Sequence, residues 1–164
     1  MSAVSAIPLI RASFAANNHA QVMSRVADLK RALAASNSLL AVAPESEQIA
    51  TREALEIALL TAVRSKDVAA FDRTLPQLAV YAALPASPRA HLVSGLALMR
   101  LLAAARVADF HSLREQISDA AAASVYVRYA LQVEQSLMEG TFNKVLNHFI
   151  LGIRNIADLG ILSI

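Results

Sequence analysis

The chain has no cysteine in 164 residues, which rules out disulfides, thiolate zinc sites and cysteine nucleophiles together and fits a reducing compartment such as cytosol or nucleus. Glycine is scarce, at four residues, and no Asn-Gly or Asp-Gly pair marks a tight strand turn, so a β-hairpin architecture lacks its usual signals. Aromatic residues make up 5% and tryptophan is absent, while 15 basic and 13 acidic residues alternate to leave a net charge of +2. Lys30-Arg31 is the one adjacent basic pair. Nucleic-acid binding draws on a clustered basic face, often with aromatic stacking, and this chain offers neither. The charges read instead as solvated helix faces. Long apolar runs are also missing. Uncharged residues 12–24 are interrupted by Asn17, Asn18 and His19, and residues 74–88 by Pro76 and Pro85, so no segment supplies the roughly 18 to 20 apolar residues of a bilayer span.

What is present is apolar bulk. Hydrophobic residues are 56% of the chain and mean hydropathy is +0.46. A water-exposed chain with this composition buries its excess in a core or under partner subunits, and the second option favours a component of a complex. The length suits one domain, able to bury roughly 70% of the surface of the unfolded chain. The first 27 residues hold Arg11, Arg25 and several serines but no acid, as organelle presequences do. Pro8 interrupts any long amphipathic helix there. Residues 1–20 are therefore expected as a loosely ordered lead-in, residues 21–145 as a helical-hairpin repeat domain, and residues 146–164 as a divergent C-terminal segment.

Abundant Ala and Leu predict an all-α chain. Leu55, Leu59, Ala62 and Val63 form one stripe at helical spacing; Val68, Phe71, Leu75, Leu78, Ala79 and Ala82 form the next. Leu92, Leu96, Met99 and Ala103 follow, then Val107, Phe110 and Ile117, then Tyr126, Tyr129, Ala130, Val133 and Leu137. Five amphipathic helices result. Asp67 is a candidate N-cap, Ser87 before Pro88 reads as a helix start, and Gly140 followed by Thr141 reads as a left-handed stop and a new cap. Pro76 falls inside a stripe and predicts a kink or an end there. Val68 with Phe71, Val107 with Phe110, and Phe142 with Val145 recur at steps of 39 and 35 residues, which is bihelical repeat spacing. The expected fold is a right-handed stack of antiparallel helical hairpins of tetratricopeptide-like type. Gly95, inside a helix, marks a place where a neighbouring helix comes close.

Chemistry is thin. His111 and Glu115 share a helix face but lack a third or fourth metal ligand at usable spacing among His19, His91 and His148. Glu134 and Glu139 diverge by about 140° around a helix, too far for a carboxylate pair. No Gly-x-Ser-x-Gly turn or glycine-rich phosphate loop occurs. No catalytic, cofactor-binding or metal residue is assigned, and no small-molecule substrate, nucleic acid or membrane partner is expected. Tyr126 and Tyr129 read as core, and Arg106, Glu134 and Glu139 as polar contacts between hairpins. Asn143 and Lys144 could grip a peptide carboxylate, as helical-repeat adaptors do, but the equivalent positions Ala69-Ala70 and Ala108-Asp109 do not repeat that chemistry.

Several blocks resemble one family in order: Leu92 to Met99; Arg106, Val107, Asp109, Phe110 and His111; Val125-Tyr126-Val127; and Val133 through Glu134, Leu137, Met138, Glu139, Gly140, Phe142, Asn143, Lys144 and Val145. The resemblance is to the proteasome regulatory-particle lid's non-ATPase subunit twelve, called regulatory subunit eight in animals. It extends more faintly back through Arg52 to Phe71, where Ser65 to Phe71 resembles the family's earlier hairpin turn, so that roughly Ser24 to Val145 is covered. The k subunit of translation initiation factor three and the smallest signalosome subunit share the pattern more weakly. The resemblance implies helical hairpins followed by a winged helix, the PCI architecture. It also implies a non-catalytic scaffold that meets other lid subunits in ubiquitin-dependent proteolysis, in cytoplasm and nucleus. The similarity fades after Val145, so the winged helix is expected to be missing. A helical-repeat peptide adaptor and the translation-factor subunit are the alternative readings.

The repeat reading puts Phe110 at the centre of a hairpin. Phe110→Ala is expected to destabilise the chain by about 3 to 5 kcal/mol, read as a lowered denaturation midpoint.

Overall fold

A computed structural model describes residues 3–35, 44–141 and 143. All secondary structure among them is helical, and the chain divides into two compact units, residues 1–86 and 87–164. The first unit holds α1 (Ala3–Ala15), α2 (His19–Ala35), α3 (Glu45–Arg64) and α4 (Val68–Ala79); the second holds α5 (Ala90–Ala103), α6 (Val107–Gln116), the single turn α7 (Asp119–Ala122) and α8 (Val125–Met138).

In the first unit α3 packs against α1, α2 and α4, so it is covered on most sides. Its buried set is Ala50, Thr51 and every residue from Ala54 to Ala62, broader than the single stripe the sequence suggested, while Val63 is 42% exposed. Buried hydroxyls avoid a desolvation penalty by bonding back to the preceding turn: Thr51 Oγ1 donates to the Glu47 carbonyl and Thr61 Oγ1 to that of Ile57, each at 2.8 Å. Glu56, also buried, lies 3.8 Å from the Arg52 guanidinium, which donates to the Pro85 carbonyl.

The lead-in expected over residues 1–20 contains α1, which runs through Pro8. A proline within a helix costs about 3 kcal/mol, whereas burying each of Ile7, Ile10 and Phe14 returns about 1.5 to 3 kcal/mol, so packing wins. Pro76 does not end its helix either: α4 runs through it to Ala79, and short turns then carry the chain on through Tyr81 and Ala82. The helix after Ser87 begins at Ala90, two residues beyond the expected start. Ser87 Oγ instead accepts from the Arg89 amide at 3.0 Å and closes a turn.

The second unit centres on Leu98, Phe110, Val127 and Ala130, with Leu102, Leu113 and Leu131 against them. Phe110 is fully buried. On α5 the buried residues are Gly95, Ala97 and Leu98, and Ala103 is exposed, so this helix is turned by about one residue, near 100°, from the expected face. On α8 the buried residues are Val127, Ala130, Val133 and Ser136; Ala130 and Val133 lie as expected, while Tyr126 and Tyr129 are half-buried and Leu137 is exposed. On α4 the inward residues are Ala70, Phe71 and Thr74, and Val68 is 53% exposed.

One local geometry recurs through both units. Asn17, Lys66, Ala105 and Gly140 have φ of 53°, 57°, 55° and 67° and each follows a long helix. In every case the next amide bonds back five residues, Asn18 to Ser13, Asp67 to Ala62, Arg106 to Leu101 and Thr141 to Ser136, at 2.9–3.0 Å. This is a left-handed helix stop that satisfies orphan carbonyls and reverses the chain. Asn18 and Asp67 then cap the returning helix, accepting from the Gln21 and Ala70 amides at 3.1 and 2.9 Å. Five residues after Asn17, Lys66 and Ala105 stands a buried apolar residue, Val22, Phe71 and Phe110. The steps between turns Lys66, Ala105 and Gly140 are the 39 and 35 residues of the sequence repeat, and Asn17 adds an earlier turn that periodicity missed.

An L-side chain in this backbone region is strained by about 1 kcal/mol. Ala105→Gly is expected to stabilise the chain by up to about 1 kcal/mol, and Gly140→Ala to destabilise it by a similar amount. A Cβ at Gly140 meets nothing within 4 Å, so paired chemical denaturation of the two variants isolates the backbone effect.

Candidate interaction surface

Of the residues singled out in the sequence, the described ones lie on the α5–α6 turn, α6, the first turn of α8 at Tyr126, and the second half of α8 with the residues that follow it. Arg106 opens α6 and its Nε donates to Asp109 Oδ2 at 2.7 Å, an exposed pair within one turn that contributes at most about 1 kcal/mol. Val107 is half-buried. The His111 ring stands edge-on to Phe110 at 5.6 Å between centroids, and its Nε2 lies 3.7 Å from Glu134 Oε1 on α8. Glu134 approaches a second helix, beyond hydrogen-bond distance, whereas Arg106 pairs inside its own turn and Glu139 accepts from the Gln135 side chain at 2.8 Å along α8. Burial pushes the Tyr129 hydroxyl above its ordinary value. Leu137 and Met138 are 37% and 57% exposed just before the Gly140 turn, and Asn143 is exposed beyond it. Phe142, Lys144 and Val145 lie outside the described residues.

Tyr126 meets Gly95 through its main chain. A Cβ built on Gly95 would stand 2.9 Å from the carbonyl carbon, oxygen and Cβ of Tyr126, so the close approach expected at Gly95 is present and its partner is α8. Chemically this surface offers apolar side chains and dispersed single charges. Among the described residues no group of three or more His, Asp or Glu could hold a metal ion, and no helix is long and apolar enough to cross a membrane.

The comparisons fall on the same elements. The profile of the CSN8/PSMD8/EIF3K family matches residues 88–150, which take in all of α5 to α8. A Caenorhabditis elegans 26S proteasome non-ATPase regulatory subunit 8 is 38% identical over 122 residues, 73% of this chain and 48% of that protein. The Arabidopsis thaliana 26S proteasome non-ATPase regulatory subunit 8 homolog A is 33% identical over 147 residues, covering 84% and 55%. By this matched segment, the chain belongs to the CSN8/PSMD8/EIF3K family. The fission yeast Schizosaccharomyces pombe contributes a further relative, 26S proteasome regulatory subunit rpn12, 31% identical over 121 residues, 71% of this chain and 45% of that protein. The chain spans about half the length of the curated relatives it matches.

For this family member the dense motif blocks of the sequence are explained by the turns and the α5–α6–α8 core. A second surface was not legible. In the first unit Lys30, Thr51, Leu55, Gln77, Val80 and Tyr81, from α2, α3 and the end of α4, line a cleft of about 270 Å³. The only sequence signal was the adjacent Lys30-Arg31 pair, and nothing in the pattern placed Lys30 beside residues nearly 50 positions away.

Backbone atoms cannot swing aside as a side chain can, so Gly95→Ala tests the α5–α8 contact. It is expected to destabilise by about 1 to 3 kcal/mol through overpacking, despite the gain of about 1 kcal/mol in helix propensity. A raised urea midpoint would contradict the close approach.

Proposed function

We propose that this chain acts as a non-catalytic scaffold subunit of the proteasome regulatory-particle lid, serving lid assembly and ubiquitin-dependent protein degradation in cytoplasm and nucleus. The observation that carries the reading is the family match across all of α5 to α8, with relatives named as 26S proteasome regulatory subunits. Its partners are other lid subunits. The architecture supports such a role through rigidity. Left-handed stops with short links fix each helix pair, and a packed α5–α6–α8 core holds the returning helices in register. The exposed Leu137 and Met138, beside Gly140, give that core an apolar edge that a neighbouring subunit can cover. Arg106, Asp109, His111, Glu134, Glu139 and Asn143 supply a polar surround for it. No side chain in this set sits as an activated nucleophile or general base with a substrate cleft before it, and the mechanism is positional: burying apolar edges fixes neighbours relative to one another.

Affinity purification of the tagged chain followed by mass spectrometry tests the assignment. Lid subunits are expected in near-stoichiometric yield. Recovery of translation initiation factor subunits, or of no lid subunit, would overturn it. A peptide-binding adaptor is the second reading, favoured by the Lys30 cleft rather than by Asn143.

A further inference from the structure

The cleft in the first unit combines an apolar floor with polar groups that have nothing to bind. Leu55 is buried beneath it, and Val80 is 64% exposed at its edge. Among the described residues, the Lys30 ammonium, the Gln77 amide and the Tyr81 hydroxyl have no hydrogen-bond or ionic partner. Thr51 commits its hydroxyl proton to the Glu47 carbonyl. Residues 36–43, which join α2 to α3, contain no carboxylate.

The electrostatics are one-sided. Lys30 is held below the ordinary lysine value, first by partial burial and then by the positive charge of Arg73 on α4. Burial pushes the Tyr81 hydroxyl up, so it remains a proton donor. The half-buried Lys30 ammonium is incompletely hydrated and repelled by Arg73, and an anion placed at Lys30 relieves both effects.

We propose that this cleft is a docking pocket for a glutamate side chain presented by an apolar segment of a partner protein. The carboxylate sits at Lys30 within reach of the Arg73 field and the Tyr81 hydroxyl, and the methylenes lie on Leu55 and Val80. The floor decides between anions. A free phosphate or small dicarboxylate satisfies the cations but leaves Val80 in water, whereas a glutamate flanked by leucines covers both. One ammonium with one phenol also suits a single carboxylate better than a phosphate with three acceptor oxygens. The pocket is separate from α5 to α8 and stands whether or not the chain enters a proteasome lid.

The test uses the full chain and a blocked peptide, N-acetylated and C-amidated, of sequence Ala-Leu-Glu-Leu-Ala, with its glutamine counterpart as control. Backbone amide shifts at Lys30, Leu55, Gln77 and Tyr81 are expected to move saturably with the glutamate peptide, and the glutamine peptide to bind about tenfold more weakly. Lys30→Met should lose about tenfold in affinity while Lys30→Arg stays within about threefold. The thermal midpoint of Lys30→Met should not fall, because the substitution removes a half-buried charge that Arg73 repels, and this separates loss of binding from loss of fold. Equal affinity for the two peptides, unchanged binding by Lys30→Met, or no saturable shift up to about 10 mM peptide would overturn the proposal.

Discussion

The left-handed residue that ends a helix and sends the chain back is the constraint from which the rest follows. At Asn17, Lys66, Ala105 and Gly140 the same backbone step closes the same pair of hydrogen bonds, and after the first three of them the next helix begins within two residues. A large apolar residue five positions on is then carried into the space beside the preceding helix. Val22, Phe71 and Phe110 are all buried there. Helices beyond each described hairpin then pack against it. In the first unit α3 collects α1, α2 and α4; in the second α5 collects α6 and α8.

Three of the four turns accept a strained residue. Asn tolerates positive φ through its short polar side chain, but Lys66 and Ala105 have no such compensation, and their strain of about 1 kcal/mol each is small against burial of Phe71 and Phe110 at about 1.5 to 3 kcal/mol apiece. Packing therefore dictates the turn, and not the turn residue the packing. The same ordering explains α1, where buried Ile7, Ile10 and Phe14 hold a helix together across Pro8.

This ordering also sets what could be read from sequence. The all-α class, the Asp67 cap, the Gly140 stop and the 39- and 35-residue steps were legible, because each leaves a local chemical mark. The Asn17 turn was not, since its residues lack a glycine and the step to Lys66 is longer than the others. Periodicity placed the face of α5 about one residue away from where it lies. A helix with Leu or Ala at most positions, as in Leu96-Ala97-Leu98, carries almost no directional preference, and its rotation is decided by the tightest contact it makes. That contact is Gly95 on the Tyr126 main chain, a fact of the tertiary structure. The residues at the Lys30 cleft were hidden for the same reason, being spread over three helices.

A consequence is that the densest family motifs and the surface that meets partners need not coincide. Phe110, Gly140 and the Gly95 contact are fully used inside the hairpins, and their side chains, or the lack of one, leave nothing to offer a neighbour. What remains for recognition is what the hairpins do not consume: Leu137 and Met138 at the end of α8, and in the first unit a half-buried ammonium without a counter-ion. A rigid support is what makes such leftovers useful, because an apolar edge or a lone charge held in one position loses little freedom when a partner covers it. The packing that orders the interior thereby also prepares the exterior, and it does so in spite of the strain at Lys66 and Ala105.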